Sequence, residues 1–466
     1  MSFSERYVTV ARKLLPMPFT IAVLLTALTF IIALLFTESK SDDTSHVMQL
    51  FQSWEAGLWN GNLMIFAMQM MLMLVLGHAL ALTRPIGLFI DLVVTKMCRN
   101  TASAAAAITF FTCIVAFFNW GLGLIFGAII ARKTAEFARK NNLQLNYPII
   151  GAAGYSGLMV WHGGLSGSSL AKVAEPGHLH TLMKDQPGFD GMAALPEAIT
   201  FAETVFSPMN LVATALLLLI LPTVMYALGR KNPSRPIILP SNSFSENKQQ
   251  EEAGDGAERL DRAMAPALIF GALILGLIFY KIFVTLEGNL LKFFTPNNIN
   301  FLLLGLGLLL HGSFSKFLKG VDEAISGASG ILIQFPLYFG IMGIMTSSGL
   351  VNEISSLFVE RDLNSDTFSL TTFVSAGVVN VFVPSGGGQW AVQGPIIVQS
   401  ATELNIPLGK SIMALAYGDQ LTNMLQPFWA LPLLGITGLK AKDILPYTLL
   451  LMFVGAAIFT VTLVIF

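Results

Sequence analysis

Long apolar runs separated by short polar, glycine-rich stretches set the rhythm of the chain. A run of about 20 apolar residues is long enough to cross the hydrocarbon of a bilayer as a helix. On that measure, helices are predicted near residues 15–37, 62–83, 205–229, 264–285, 299–315, 322–350 and 444–466. Runs 147–170 and 410–437 have spanning length but contain a polar break, and are predicted as broken helices. Regions 102–138 and 367–403 are too long for one crossing and carry their break in the middle. That is the pattern of re-entrant hairpins whose tips stop inside the membrane.

The breaks occur twice in the same order. The first set is Asn119-Trp-Gly-Leu-Gly123, then Leu145-Asn-Tyr-Pro148, then Trp161-His-Gly-Gly-Leu-Ser-Gly-Ser-Ser169. The second is Asn380-Val-Phe-Val-Pro-Ser-Gly-Gly-Gly-Gln389, then Leu404-Asn-Ile-Pro407, then Tyr417-Gly-Asp-Gln-Leu-Thr-Asn423. Paired interruptions at matching places in two halves point to the binding site of a carrier. Composition agrees: 54% of residues are hydrophobic and 12% charged, against about a quarter charged in soluble domains. The net charge of -1 gives no basis for a nucleic-acid partner. Cys98 and Cys113 form neither a disulfide framework nor a metal-ligand spacing and read as packing residues. Arg6, Arg12 and Lys13 precede an apolar stretch too long for a signal peptide and without a cleavage site, so it reads as the first membrane helix.

Lysine and arginine concentrate on the cytoplasmic side of membrane proteins. With the N-terminus inside, 20 of the 27 Lys and Arg become cytoplasmic, including Arg84, Lys96, Arg99, Lys133 and Arg139, with Lys316 and Lys319 in a further loop. Counting spans then brings the first hairpin in from the cytoplasm and the second from outside. The expected architecture is an all-α membrane protein with an inverted-topology repeat: about nine full transmembrane helices, two re-entrant hairpins and two broken helices. The first repeat is 1–229, and 230–262 is a polar cytoplasmic linker rich in Pro, Ser and Gly. A linking helix and external loop occupy 263–298, and 299–466 is the second repeat. The polar stretch 171–200, with His178, His180 and Asp185, reads as a solvated external loop rather than a metal site.

Non-helical backbone inside hydrocarbon is tolerated only where protein buries it or a watery cavity meets it. The four breaks therefore predict an internal polar site. Glycines let backbone approach a ligand, and half-helix N-termini present N–H groups to an anion. Candidate substrate groups are Asn119, Gly121 and Gly123 at one tip, Ser385, Gly386, Gly387, Gly388 and Gln389 at the other, and His162, Ser166 and Ser168 in the first broken helix. His162 would hold a carboxylate when protonated, relay a proton, or simply tie down the break. Asp419 falls near the middle of an apolar run, where a carboxylate marks an ion or proton pathway. With Thr422 and Asn423 it is the candidate coupling-ion site, for Na+ through hard oxygen ligands or for a proton on Asp419 itself. No other metal and no cofactor is expected. The absence of Lys and Arg from the breaks suits a small monoanion held by amides, hydroxyls and helix ends. Gln393 and Gln426 add neutral donors, and Trp120, Trp390 and Phe428 are candidates for an apolar wall.

At Val383-Pro-Ser-Gly-Gly-Gly-Gln-Trp-Ala-Val-Gln-Gly-Pro395 and Tyr417-Gly-Asp-Gln-Leu-Thr-Asn-Met-Leu-Gln-Pro427 the chain resembles the short-chain fatty acid transporter family, of the acetoacetate and butyrate permease type. The resemblance extends over nearly the whole length, including the first-half Trp-His-Gly-Gly-Leu-Ser-Gly-Ser. It implies uptake of short-chain monocarboxylates across a bacterial inner membrane. It also implies kinship with the ion-transporter superfamily, whose divalent-anion symporters pair two hairpins, form homodimers through a scaffold domain and move a transport domain like an elevator. The Ser-Asn-Thr signatures of those symporters are absent here, so sodium and protons both stay open. The alternatives are a passive anion channel or a carrier for another small organic anion. An enzyme built on His162 with Ser166 or Ser168 lacks a second base or a nucleophile elbow.

Overall fold

A computed structural model describes residues 16–39, 44–184, 189, 191–232, 256–288, 293, 295–356 and 364–466. The basic trio Arg6, Arg12 and Lys13, residues 233–255 of the polar linker and Asp185 lie outside the described residues. Among the described residues the chain is helical, with no strand. It is a multi-pass membrane protein: among the described residues 7 helices are long and apolar enough to cross a bilayer. Large apolar side chains such as Leu24, Leu28, Leu35, Leu273 and Phe279 stand exposed on the outer helices, as expected of surfaces that meet lipid.

The helices are α1 Pro18–Phe36, α2 His46–Leu58, α3 Gly61–Ala81, α4 Arg84–Met97, α5 Thr101–Phe118, α6 Trp120–Lys140, α7 Tyr147–Tyr155 and α8 Pro208–Lys231. They continue with α9 Met264–Tyr280, α10 Pro296–His311, α11 Phe314–Ile325, α12 Ser329–Ser347, α13 Ser365–Phe382 and α14 Gly386–Glu403. α15 Leu408–Thr422, α16 Pro427–Thr437 and α17 Ala441–Ile465 complete the chain. Polar residues at the boundaries start many of them. Asn60 Oδ1 accepts the Leu63 N–H at 3.1 Å to open α3, and Asn100 with Ser103 forms a capping box at α5.

Three helices run where loops were expected. α2 joins α3 in a stretch of 36 residues, His46–Ala81, and α11 joins α12 through a 3-10 turn in a stretch of 34, Phe314–Ser347. At a rise of about 1.5 Å per residue each exceeds the roughly 30 Å of hydrocarbon, so part of each lies beyond it or runs obliquely. Lys316 and Lys319 accordingly sit on a helix rather than in a loop. α4 occupies the basic segment after residue 83, with Leu88 and Leu92 exposed on one face. The segment predicted as the span 299–315 is the 16-residue helix α10.

The helices pack in two groups. In one, α5 lies against α8, α6 against α7 and α16, α13 and α14 against α15, and α17 against α7, α8 and α15. In the other, α12 lies against α1 and α2, and α3 against α10 and α11, with α9 against α10. Contacts of α3 with α6 and of α12 with α16 join the groups.

Candidate functional site

Each long apolar region turns at its break. Between α5 and α6 the single extended residue Asn119 reverses the chain, and its Oδ1 accepts the Leu122 N–H at 2.9 Å. The two arms run antiparallel, with Gly123 closing on Ala116 and Gly127 on Thr112. Between α13 and α14 the turn is Val383-Pro384-Ser385, and the Ser385 Oγ accepts the Gly388 N–H at 3.2 Å. The two broken helices leave free backbone groups, and these are satisfied across the molecule. Helix α7 ends at Tyr155 and continues through a 3-10 turn and an irregular stretch before the short helix Ser168–Val173. In that stretch the His162 and Gly163 N–H groups donate to Gln420 Oε1 at 3.0 and 3.2 Å. Asn210 donates to Gly163 O at 2.8 Å while Tyr417 O–H donates to Asn210 Oδ1 at 3.1 Å. In the second break, Tyr155 O–H donates to Asn423 O at 2.8 Å and Gln426 O at 3.2 Å. Each break is thus held partly by side chains of the other half, which meets the demand that buried backbone be paired.

His162 and Asp419 meet at this junction. Nδ1 of His162 lies 3.2 Å from Oδ1 of Asp419, with the side chains 0% and 1% exposed. The ring is off the line of a hydrogen bond, and among the described residues neither carboxylate oxygen has a hydrogen-bond partner. On the other edge of the ring, Nε2 is 2.9 Å from Ser169 Oγ and accepts the Ser169 N–H at 3.3 Å. An accepting Nε2 leaves the proton of a neutral imidazole on Nδ1, facing Asp419. No Lys or Arg forms an ion pair with Asp419 among the described residues.

The tip of the second hairpin abuts this pair. A β carbon on Gly386 would stand 2.9 Å from both the His162 ring and the Trp161 ring, and 3.3 Å from Ser168 Oγ, so only glycine fits there without displacement. Gly387 faces open space apart from Ser168, and Gly388 packs on Met342 and Ser385. At the first hairpin, Gly121 faces Met73 and Gly123 faces Ala116, and the tip is tied to the first break by the Trp120 N–H donating to Ser166 Oγ at 2.9 Å. Of the candidate substrate residues, then, His162, Ser168 and Gly386 come together; Asn119 and Ser385 cap helices, and Ser166 braces a tip. Gln389 spends its amide N–H groups on Ala376 O at 2.8 Å and Gln393 Oε1 at 2.9 Å.

Of the candidate coupling residues, only Asp419 turns its side chain to His162. Thr422 Oγ1, Asn423 Oδ1 and the backbone O of Asp419 instead surround the Asn380 Nδ2, at 2.9, 2.8 and 2.6 Å. Among the described residues no group of three or more His, Cys, Asp or Glu is gathered for a metal. Beside the pair lies an aromatic cluster. Trp161 stacks on His162 at 4.4 Å, and the rings of Trp120 and Trp429 lie 6.0 and 6.3 Å from Trp161. Phe66 and Phe335 of α3 and α12 join it, with Phe428 stacked on Phe335 at 4.0 Å. The indole N–H groups of Trp161 and Trp429 are buried with no hydrogen-bond partner among the described residues. Trp120 and Phe428 belong to this aromatic cluster, whereas Trp390 lies apart beside His178. Ser169, Gln420, Asn380 and Trp429 were not singled out from the sequence. For Ser169, Gln420 and Asn380 the only signal there was membership of the breaks, and Trp429 lies beyond them.

Trp390 Nε1–H donates to His178 Nε2 at 3.0 Å, holding the segment His178–Met183 against α14. Burial first, and then the charge of Lys172, lower the His178 pKa below its ordinary 6.5, with Glu175 opposing. Only the neutral ring accepts this hydrogen bond. Its stabilising contribution is full above pH 6.5 and is lost as the pH falls through the lowered pKa. Amide exchange across residues 168–183 is expected to accelerate over that acidic window in the native protein. In His178→Phe it should be equally fast on both sides of it; a variant that keeps the wild-type pH dependence would remove this contact from the explanation.

A family model described as Short chain fatty acid transporter matches residues 1–466. A protein of Escherichia coli (strain K12), provisionally named a short-chain fatty acid transporter, is 35% identical over 475 residues, covering 100% of this chain and 98% of that protein. One from Haemophilus influenzae (strain ATCC 51907 / DSM 11121 / KW20 / Rd), with the same provisional name, is 36% identical over 466 residues, covering 98% of this chain and 97% of its own. Among solved structures, the Alcanivorax borkumensis YdaH transporter superposes with a TM-score of 0.43 at 14% identity, over 96% of this chain and 98% of that one. Neisseria gonorrhoeae MtrF does so with a TM-score of 0.45 at 14% identity, over 98% and 97%.

Proposed function

Because the chain belongs to the short-chain fatty acid transporter family, we propose that it moves small monocarboxylates such as acetoacetate or butyrate across the bacterial inner membrane together with a proton, and that His162 and Asp419 carry that proton. One observation carries the reading: a His and an Asp, 3.2 Å apart and shut away from solvent, lie where the two broken helices and the second hairpin meet. With one proton added the pair is neutral as a unit. Without it the pair is a buried anion. A substrate carboxylate is repelled by the second form and accepted by the first, because like charges in a low-dielectric site repel strongly. Protonation therefore precedes substrate binding, and one proton accompanies each anion in an electroneutral step. The unpartnered indole N–H groups of Trp161 and Trp429 are suited to orient the carboxylate, and the aromatic cluster to limit the alkyl chain. The series Ser169, His162, Asp419 has the contact order of a hydrolase triad. In a chain of a transporter family, the reading proposed for it is proton passage rather than bond cleavage.

Access from both sides requires motion, since His162, Asp419 and Trp161 are all closed off here. In the proposed mechanism the two repeats, 1–229 and 299–466, are inverted in topology, and the hairpins and broken helices move as a transport domain against α1 to α3 and α9 to α12. The second group would form the scaffold and the homodimer contact, with the N-terminus on the cytoplasmic side. A sodium-coupled reading rests on a different observation, the three oxygens gathered around Asn380. Purified protein in liposomes separates the two. Labelled butyrate uptake, corrected for protein-free liposomes because the free acid crosses bilayers unaided, is expected to follow an imposed pH gradient and to ignore a potassium-diffusion potential. Uptake that follows a sodium gradient without a pH gradient would discard proton coupling in favour of the Asn380 cluster.

A further inference from the structure

Two cavities outside the transport site lie side by side where α3, α4 and α6 converge. The first, about 890 Å³, is lined by Arg84, Lys133, Arg139 and Lys140, with Glu136 as the one acid and Thr83 and Asn141 as neutral donors. Glu136 is engaged by Arg132 at 2.8 Å and Lys133 at 3.7 Å, whereas Arg84, Arg139 and Lys140 make no ion pair among the described residues. The second, about 280 Å³, is apolar: Leu80, Ile86, Ile125, Ile129 and Leu303 form its wall. The cavities share Ala81 and meet along the first turn of α4, where Ile86 faces the apolar one and Gly87 the basic one. Leu88 and Leu92 stand exposed on α4, as on a helix lying along a bilayer surface.

The geometry points to an anionic phospholipid bound at this place, its phosphate among Arg84, Arg139 and Lys140 and one acyl chain in the apolar cavity. Charge and shape agree on that occupant. A soluble phosphate would use the basic cavity and leave the apolar one idle, and a neutral lipid would do the reverse. Basic pockets between membrane helices on the cytoplasmic side are suited to anionic headgroups, and all four basic residues fall on the face assigned there by charge bias. Since α3 belongs to one helix group and α6 to the other, the bound lipid would sit on the seam between them.

Fluorescent phosphatidylglycerol titrated into full-length protein in neutral detergent tests the assignment. The variant Arg84→Gln, Arg139→Gln, Lys140→Gln is expected to need at least ~10-fold more phosphatidylglycerol for half-saturation, because each basic group near a lipid phosphate contributes several-fold. Its weak binding of phosphatidylcholine should not change. Ile129→Trp, which fills the apolar cavity without touching the charges, should weaken phosphatidylglycerol as well. Glycerol 3-phosphate at millimolar concentration should not displace the probe. Equal affinity of the native protein for both lipids, an unaltered titration in the triple variant, or full displacement by glycerol 3-phosphate would each overturn the assignment. The melting temperature of each variant in lipid-free detergent shows that it is folded before the titration is read.

Discussion

Asp419→Asn is expected to reduce gradient-driven uptake to the level of protein-free liposomes while preserving exchange of labelled for unlabelled substrate across the membrane. The asparagine has the shape of the carboxylate without its charge. Neither oxygen of Asp419 accepts a hydrogen bond among the described residues, so the replacement removes no hydrogen bond and relieves a buried charge. Its backbone oxygen, which Asn380 holds at 2.6 Å, is unchanged. What disappears is the ability of the pair to pass between an anionic and a neutral state. The variant resembles the protonated form permanently: it still accepts the anion, still moves, and no longer requires a proton to do so. Exchange needs only binding and movement, whereas concentration needs coupling. Full concentrative uptake by this variant would remove Asp419 from the coupling step, and loss of exchange as well as uptake would show a part in binding that the proton-carrier reading does not give it. Asp419→Glu keeps the titratable group but lengthens the side chain toward a ring already 3.2 Å away; partial accumulation is expected from it.

The apolar runs and their breaks were legible because lipid contact and non-helical backbone each leave a composition signature. Ala441–Ile465 and Pro208–Lys231 stand close to where counting apolar residues puts them. The helices His46–Leu58, Arg84–Met97 and Phe314–Ile325 were not visible that way. Their sequences mix polar with apolar residues, and a search for continuous hydrophobicity passes over a helix so composed. At the site, Asp419 and His162 each stood out alone, as a carboxylate and an imidazole amid apolar sequence. Their meeting did not, because it depends on how two segments far apart in the chain cross. Three serines follow His162 within seven residues, and which of them reaches the ring is decided by the short helix beginning at Ser168, which turns Ser169 inward. The duplicated glycines looked equivalent in the sequence. In the structure Gly386 faces the His162 ring while Gly121 and Gly123 are packed on Met73 and Ala116, so the two halves use the same residue type for different purposes.

Gly127→Leu is expected to cost about 3 kcal/mol of stability, the upper part of the range for forcing extra atoms into a close-packed interior, and so to lower the yield and melting temperature of the purified protein sharply. Helices α6 and α7 cross at Gly127 and Gly154 with backbone against backbone. A β carbon on Gly127 would fall onto the carbonyl of Gly154 and within 2.9 Å of the Thr112 methyl; one on Gly154 would fall onto the carbonyl of Gly127. Flexible side chains can move out of the way, but carbonyls inside two helices can do so only if the helices separate. Separation at this crossing would carry α7 away from hairpin α5–α6, and with it the stretch that places Trp161 and His162. Gly276→Leu supplies the comparison. It lies within α9, a β carbon there would meet nothing within 4 Å, and leucine is a better helix former than glycine by about 1 kcal/mol. The same substitution should therefore be neutral or mildly stabilising at Gly276 and severe at Gly127. Equal melting temperatures for the two variants in the same detergent would mean that the hairpin does not approach the broken helix this closely, and the position of the His162 ring beside Asp419 would then lose its structural support.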